Sequence, residues 1–322
     1  MPSAGEYDAD VLILALDRVE ETLAAIASAR AQTGVRRRVI VVDQGSRAEN
    51  FSRIADAVAG CADVTLLRTG ENLGVAGGRN LAASQGCGRV IVALDNDAEF
   101  LDPDTLARAV AALDAEPDLA AIGFRIVTHA TGADDLSSWG YPRALLARAG
   151  ENFESATFVG AGHAIRRQAW GQVGGYDSRL FFCWEEFDFS LAAIALGWRI
   201  RYRGDIVVRH KVSAEARQLW SGTRWFFFVR NRLYVGRKHG AAWGALAARY
   251  GAYLLRGARN GLLWPTLRAL PAAIGMAAQT TPRALPAAAA AYLRRTDAAH
   301  RGSLATRLRR EVLARLPGHL SK

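Results

Sequence analysis

Half of the 322 residues are hydrophobic and 22% are charged, a composition that builds a packed core in one large or two smaller domains. Charge is divided unevenly: residues 1–216 carry 22 Lys and Arg against 29 Asp and Glu, whereas residues 217–322 carry 19 against 2, so an acidic body precedes a basic region suited to an anionic partner. Three cysteines without paired spacing (Cys61, Cys87, Cys183) argue against disulfides and a zinc site and fit a reducing compartment; the polar first ten residues argue against a signal peptide, and no apolar run of roughly 18 residues predicts a spanning helix.

Residues 10–16 (DVLILAL) read as a buried strand. Residues 19–32 carry Leu23, Ile26 and Ala27 at helical spacing and supply a crossover helix. A second strand, 38–43 (RVIVVD), ends in DQGS; residues 50–59 are helical, and 63–68 (DVTLLR) form a third strand. The turn 71–80 (ENLGVAGGRN) runs into a helix, and the strand 89–93 (RVIVA) ends in LDNDAEF. Strands alternating with helices in this way predict a doubly wound, mostly parallel α/β sheet with right-handed crossovers. Beyond it, 119–128 reads as a strand and 131–152 as an irregular connection. Residues 157–166 (TFVGAGHAIR) read as a strand or strand-like loop whose small residues leave room for a substrate. Residues 188–196 form a helix closed at Gly197, and 199–203 with 206–210 form a short strand pair.

In an open α/β sheet, ligands bind beyond the carboxyl ends of strands, where Asp95 and Asp97 stand. Two carboxylates at i and i+2 can reach one hard divalent cation, of the kind usually held by one or two carboxylates plus substrate phosphates. The bland alternative is an acidic turn ahead of the helix that starts near 102–105. Asp43 suits hydrogen bonds from a nucleotide's base or ribose, or closes a turn with Ser46. Gly74, Gly77 and Gly78 allow close backbone approach to a ligand, although neither this turn nor Gly160-Ala161-Gly162 completes a dinucleotide fingerprint. Arg79 beside them also fits a solvated helix face. Glu185, Glu186 and Asp188 cluster at a helix start, where they complement the helix dipole. Among Phe181, Phe182, Trp184 and Phe187 they also suit a partly desolvated general base. His210 is structural unless the chain folds it back onto Asp97, where it becomes a metal ligand.

Taken in order, VVDQGS, ENLGVAGGRN, LDNDAEF, VGAGHAIRRQAWGQVGGYD, FFCWEEFDFSLAAIALGW and VVRH resemble a family 2 glycosyltransferase with the GT-A fold. The asparagine–glycine turn and the later WFFFVRNRLYV, 225–235, resemble the rhamnosyltransferase-like branch. The resemblance implies a GT-A nucleotide-sugar-binding catalytic domain over residues 1–216, followed by a basic, aromatic-rich helical region over 217–322. It places Asp43, Asn72, Gly74, Gly78, Arg79, Asp95 and Asn96 around the nucleotide sugar. It puts Asp97, with His210 and Asp95, at a divalent metal, Mg²⁺ or Mn²⁺. Glu186 takes the position of the catalytic base, with Glu185 and Asp188 as rivals. The family usually has Asp where Glu186 stands, and Leu16-Asp17-Arg18 replaces a Tyr-Asn or Trp-Asn step that often contacts the base. The implied reaction is metal-dependent, inverting hexosyl or rhamnosyl transfer from a nucleotide-diphosphate sugar to a hydroxyl of a glycan or lipid-linked acceptor, in polysaccharide or glycolipid assembly. The alternative of another class is a non-catalytic nucleotide-binding or scaffold protein with the same fold.

After residue 217, aromatics interleave with arginines, and 241–262 reads as a helix with Trp243, Leu246, Tyr250 and Leu254 along one stripe and Arg249, Arg256 and Arg259 on a different side. That is the pattern of a helix lying in a lipid interface. Pro265, Pro271, Pro282 and Pro286 then predict short pieces, and 304–316 predicts a further basic helix with Leu304 and Leu308 on one side. The expected partner is an anionic membrane surface on the cytoplasmic face, bound peripherally, and not nucleic acid, because no recognition motif accompanies the charge.

Overall fold

The computed structural model describes residues 7–211, 220–307, 312–313 and 316. Its sheet runs in the order β3 (Val64–Arg68), β2 (Arg37–Asp43), β1 (Ala9–Ala15), β4 (Val90–Asp95), β8 (Gly162–Arg166), β6 (Leu119–Thr128), β9 (Arg199–His210), β5 (Ala98–Phe100), with β7 (Asn152–Glu154) against β9. The strands β1, β2, β3 and β4 are parallel. Three of them, β1, β2 and β4, are close to continuously apolar because helices cover both faces. On one face lie α1 (Val19–Arg30), α2 (Ala48–Val58) and α4 (Thr105–Ala115), through Ala25, Ile26, Ile54 and Leu106. On the other lie α3 (Gly74–Ser84), α5 (Arg167–Val173) and α6 (Glu185–Ala195), through Ala76, Ala82, Ala169 and Phe189. The chain leaves β1 toward β2 and β3, then crosses back to β4, so strand order reverses beside β1 and a crevice opens beyond the carboxyl ends. Register puts Ala15 opposite Asp43 and Leu14 opposite Asp95, so both acids stand at that crevice.

The rest of the sheet brings His210 to the same edge. β8 lies antiparallel between β4 and β6, and β9 runs parallel to β6. β5 pairs antiparallel with β9, Ala98 opposite His210, and β7 pairs antiparallel with β9 farther back. The predicted pair at 199–203 and 206–210 is therefore one strand. Its register slips between Phe124 opposite Arg203 and Arg125 opposite Val207. Gly204 sits in that bulge because a Cβ there would come 2.5 Å from the Gly150 backbone, and its amide donates to Asn152 Oδ1 at 2.9 Å.

Helices α7 (Gly222–Lys238), α8 (Trp243–Arg259) and α9 (Leu263–Ala278) pack together through Trp225, Val229, Leu246, Tyr253, Ala269 and Ala273. α9 continues through Pro265 and Pro271, against the expectation of short pieces. Pro265 lies in the first turn, where its missing N–H has no intrahelical partner to lose. At Pro271 the packing of Ala269 and Ala273 on α7 carries the helix past the lost bond. α10 (Ala287–Thr296), after Pro282 and Pro286, returns to the sheet, where the Tyr292 hydroxyl accepts from the Ile200 amide and donates to the Ser155 carbonyl, both at 3.0 Å. Of the helix expected over 304–316, residues Leu304–Arg307 are helical, and Leu308 lies outside the described residues.

Candidate active site

Beyond the ends of β1 and β4 lies a cavity of about 1150 Å³. The sheet body lines it with Arg79, Asp95, Gly160, Glu185 and Glu186, and the helical region lines it with Arg232 and Arg249. At its floor Arg79 is 3% exposed, so it is no solvated helix residue. Nη1 donates to Glu186 Oε1 at 3.0 Å, and Nη2 donates to Asp95 Oδ1 at 3.0 Å and to the Gly160 carbonyl at 2.8 Å. Burial works against the Arg79 charge, but Asp95, Tyr176 and Glu186 outweigh it and hold the guanidinium firmly protonated. One buried cation thus fixes a carboxylate at the end of β4 relative to one at the start of α6. A Cβ at Gly160 would meet Glu186 Oε1 at 2.7 Å, so a side chain there would push the carboxylate aside. Beneath Arg79, His163 donates from Nδ1 to the Val159 carbonyl, which leaves Nε2 to accept from the Tyr176 hydroxyl at 2.9 Å. Burial, then the Arg79 charge, push the His163 pKa well below its ordinary value, so it stays neutral.

The three acids of α6 part ways. Burial raises the Glu186 carboxyl, Arg79 opposes this, and the net shift is upward. Glu185 is more deeply buried, its Oε2 has no hydrogen-bond partner, and burial with the neighbouring Glu186 charge pushes its pKa well above the usual range. Asp188 does not line the cavity, and its carboxylate is engaged elsewhere: Oδ2 accepts from Lys238 Nζ at 2.7 Å and Oδ1 from His239 Nε2 at 2.8 Å. It joins α6 to the end of α7 and points away from Glu186, because residues two apart on a helix face different sides. The loop ahead of α6 is strained, with positive φ at Phe181, Cys183 and Trp184. Asn231 of α7, fully buried, holds it by donating from Nδ2 to the carbonyls of Leu180, Phe182 and Cys183 at 2.8 to 2.9 Å.

Asp95, Asp97 and His210 present ligand atoms within 4.8 Å of one another, a group that could bind a metal. His210 Nε2 is 3.2 Å from Asp97 Oδ1, and its Nδ1 is 2.8 Å from Asp135 Oδ2. Burial alone would raise the Asp135 carboxyl, but hydrogen bonds from His210, Ser137 and Ser138 hold it well below its ordinary range. A carboxylate behind a histidine fixes the ring and its tautomer, as outer partners do at metal sites. Two carboxylates and an imidazole are ligands that a divalent cation can take, the carboxylates being the hard oxygen donors. Arg18 at the start of α1 donates to Asp97 Oδ2 at 2.7 Å, through left-handed backbone at Asp17 and Arg18.

Other predicted contacts serve the protein itself. Gly74 packs on Phe181, whose carbonyl would lie 2.3 Å from a Cβ, and Gly78 packs on Gln44 and Leu14, so a side chain at either position would meet protein. Asn72 Oδ1 caps the turn by accepting from the Gly74 amide at 2.8 Å. Asn96 donates to Thr22 Oγ1 at 3.2 Å, on α1. Asp43 is buried; Oδ1 accepts from the amides of Gly45 and Ser46, while Oδ2 has no hydrogen-bond partner. On α8, Leu246 and Tyr250 of the expected lipid-facing stripe pack in the helical core, and Arg249 and Arg256 of the expected polar side line the cavity. Arg18, Asp135 and Asn231 escaped the sequence reading; each acts on a partner tens of residues away.

The sequence profile described as Glycosyl transferase family 2 matches residues 10–174, half of the chain. The chain belongs to this family. An uncharacterized protein of Haemophilus influenzae is 27% identical over 167 residues, 51% of this chain and 90% of that protein. The glucosyl-dolichyl phosphate glucuronosyltransferase of Haloferax volcanii is 26% identical over 184 residues, 52% of this chain and 55% of that enzyme. Among solved structures, the mannosyltransferase PcManGT of Pyrobaculum calidifontis, in complex with GDP-Man and Mn²⁺, aligns with a TM-score of 0.59 at 21% identity, over 94% of this chain and 82% of that one. GalNAc-T7 with UDP, GalNAc and Mn²⁺ aligns with a TM-score of 0.61 at 15% identity, over 96% and 59%. These likenesses establish the GT-A fold of this glycosyltransferase.

Proposed function

We propose that the chain transfers a sugar, with inversion, from a nucleotide-diphosphate sugar to an acceptor hydroxyl. The observation that carries this reading is the single buried Arg79 that holds Asp95 and Glu186 at one cavity. Arg79 occupies one oxygen of Glu186 and leaves the other for the acceptor's proton. Burial makes that carboxylate a stronger base than a solvated one. As Glu186 takes the proton, the acceptor oxygen bonds to the sugar's anomeric carbon, and that carbon's bond to the diphosphate breaks. Asp97, His210 and Asp95 would hold Mg²⁺ or Mn²⁺, which when bound neutralises charge on the leaving diphosphate. The structural neighbours carry GDP-Man or UDP with Mn²⁺, which supports such a donor and metal. The WFFFVRNRLYV stretch supports rhamnose or a related hexose as the sugar and polysaccharide or glycolipid assembly as the setting.

A peripheral position on the cytoplasmic face of a membrane belongs to this reading. Among the described residues no helix is long and apolar enough to cross a membrane. Trp243 and Leu255 of α8 and Leu263, Trp264, Leu267 and Ile274 of α9 are exposed, Trp264 by 69%. Arg259 and Arg268 lie on the same two helices, which suits an anionic leaflet.

Glu186→Gln tests the function with a panel of nucleotide sugars and Mn²⁺: transfer disappears while nucleoside-diphosphate binding survives. Normal turnover in that variant sinks the base assignment, and absence of any transfer or hydrolysis by the unaltered chain favours the scaffold reading. For the membrane, co-sedimentation with phosphatidylglycerol vesicles at low salt should fall when Trp264 becomes Ala. Protein that stays in the supernatant refutes it.

A further inference from the structure

The cavity has a second wall whose charge the transfer step does not use. Arg232 from α7, Arg249 and Arg256 from α8, and Arg301 beyond α10 line it across from Asp95. Arg232 is held against the rings of Trp184 and Phe187, 5.2 Å and 5.0 Å from their centroids, and among the described residues it meets no carboxylate at ion-pair distance. Burial, then the charges of Arg249 and Arg301, bring its pKa down to about 10, which leaves it cationic at neutral pH. Asp297 pairs with Arg301 at 2.5 Å. Beside Tyr253, the cavity face of α8 carries Ala245, Ala248 and Ala252, short side chains that leave the guanidiniums room to reach a ligand.

Arg232 and Arg249 bring like charges together on a partly desolvated wall, which is unfavourable unless an anion answers them. Guanidiniums present paired N–H donors that match phosphate oxygens. Several converging guanidiniums suit a group with more than one negative charge better than a single carboxylate. We propose that this wall binds a phosphate or diphosphate group of the acceptor and so presents the acceptor's hydroxyl to Glu186. This rests on the transfer reading above. The donor's diphosphate belongs at the other end, beside the Asp95, Asp97 and His210 group at the ends of β4 and β9. The phosphate has two possible sources, a lipid-linked phosphate or a soluble sugar phosphate.

Calorimetry on the full chain separates these. In EDTA, inorganic pyrophosphate, dodecyl phosphate and glucose 1-phosphate are titrated into the unaltered protein, Arg249→Ala and Arg249→Lys; UDP and GDP are titrated with Mn²⁺ in parallel. Pyrophosphate should bind without metal, more weakly as salt rises, and about tenfold more weakly in Arg249→Ala, with partial recovery in Arg249→Lys. Nucleotide binding with Mn²⁺ should not change. Tighter binding of dodecyl phosphate than of glucose 1-phosphate assigns the lipid source, and the reverse order the soluble one. The proposal is overturned if pyrophosphate fails to bind in EDTA or ignores Arg249→Ala. It is also overturned if Arg249→Ala weakens nucleotide binding equally, since the wall then serves the donor. If neither UDP nor GDP binds while pyrophosphate behaves as described, the transfer reading falls and the anion site stands.

Discussion

In the sheet body Arg79 ends on Asp95 and Glu186, Arg199 on Asp118 and Glu154, and Arg166 on the carbonyls of Leu119 and Glu116. In the helical region Arg230, Arg232, Arg237 and Arg268 lie instead over the rings of Phe227, Trp184, Trp243 and Phe226. The first arrangement fixes its neighbours in place and, at Arg79 and Arg199, neutralises the cation. The second contributes roughly 0.5 to 2 kcal/mol per contact without neutralising anything. The basic region is thus more than a solvated tail: part of its charge is turned into the cavity that the acidic body builds. Contacts that cross between the two regions, at Asn231 and Asp188, set how the walls meet.

The largest effect expected within the body follows from Arg79→Met. It leaves Glu186 and Asp95 as partly buried like charges without their shared cation. Removing one partner of such a buried set costs about 3 to 5 kcal/mol, read from denaturant unfolding. Transfer should fall on the order of a hundredfold because the base loses its orientation. Unchanged stability would mean that the two acids do not depend on that cation.

Asn231→Ala tests the crossing contact that supports the strained loop. Three carbonyls lose their donor, at a cost of about 2 to 4 kcal/mol. The positioning role predicts a fall in kcat with nucleotide affinity held within about twofold. A pure stability loss with kcat unchanged makes the residue structural only.

Asp188→Asn should act more gently. Lys238 and His239 lose a charged acceptor, worth about 1 to 3 kcal/mol in melting, while transfer stays within a few-fold of the unaltered enzyme. Near-complete loss of transfer in a folded variant would return Asp188 to candidacy as the base.

Much of the body was legible because its strands are buried on both faces and read as apolar runs: residues 10–16, 38–43 and 119–128 fall on β1, β2 and β6. LDNDAEF marked a carboxyl-end turn, and the register with β1 confirmed its place. The partners that organise the site were not legible. Arg79 and Glu186 are 107 residues apart, and Asp135 and His210 are 75 apart, with Asp135 in a stretch read only as irregular. Such ion pairs have no local period, so only the closed sheet reveals them. At the glycines of the 72–80 turn the freedom was visible, but not that Phe181 and Gln44 pack against Gly74 and Gly78.

The smallest and most specific effect belongs to Glu185→Gln. Burial raises the folded-state pKa of Glu185 above its unfolded value near 4.5. A carboxyl shifted that way stabilises the fold fully below the unfolded pKa, and this contribution is lost as pH rises through the folded pKa. Gln does not titrate, so the variant gains stability relative to the unaltered protein as pH climbs from 4.5, and the difference levels off above the folded pKa. For one proton the slope cannot exceed about 1.4 kcal/mol per pH unit. The absolute difference is less informative, because a buried Gln amide brings its own unpaired donor to the place where Oε2 now has no partner. That cost does not vary with pH, so the slope of melting temperature against pH between 4 and 9 isolates the ionisation. Parallel curves for the two proteins would mean that Glu185 titrates as a solvated acid. Transfer should persist in this variant if Glu186 is the base, whereas loss of transfer with the altered slope intact would move the base to Glu185.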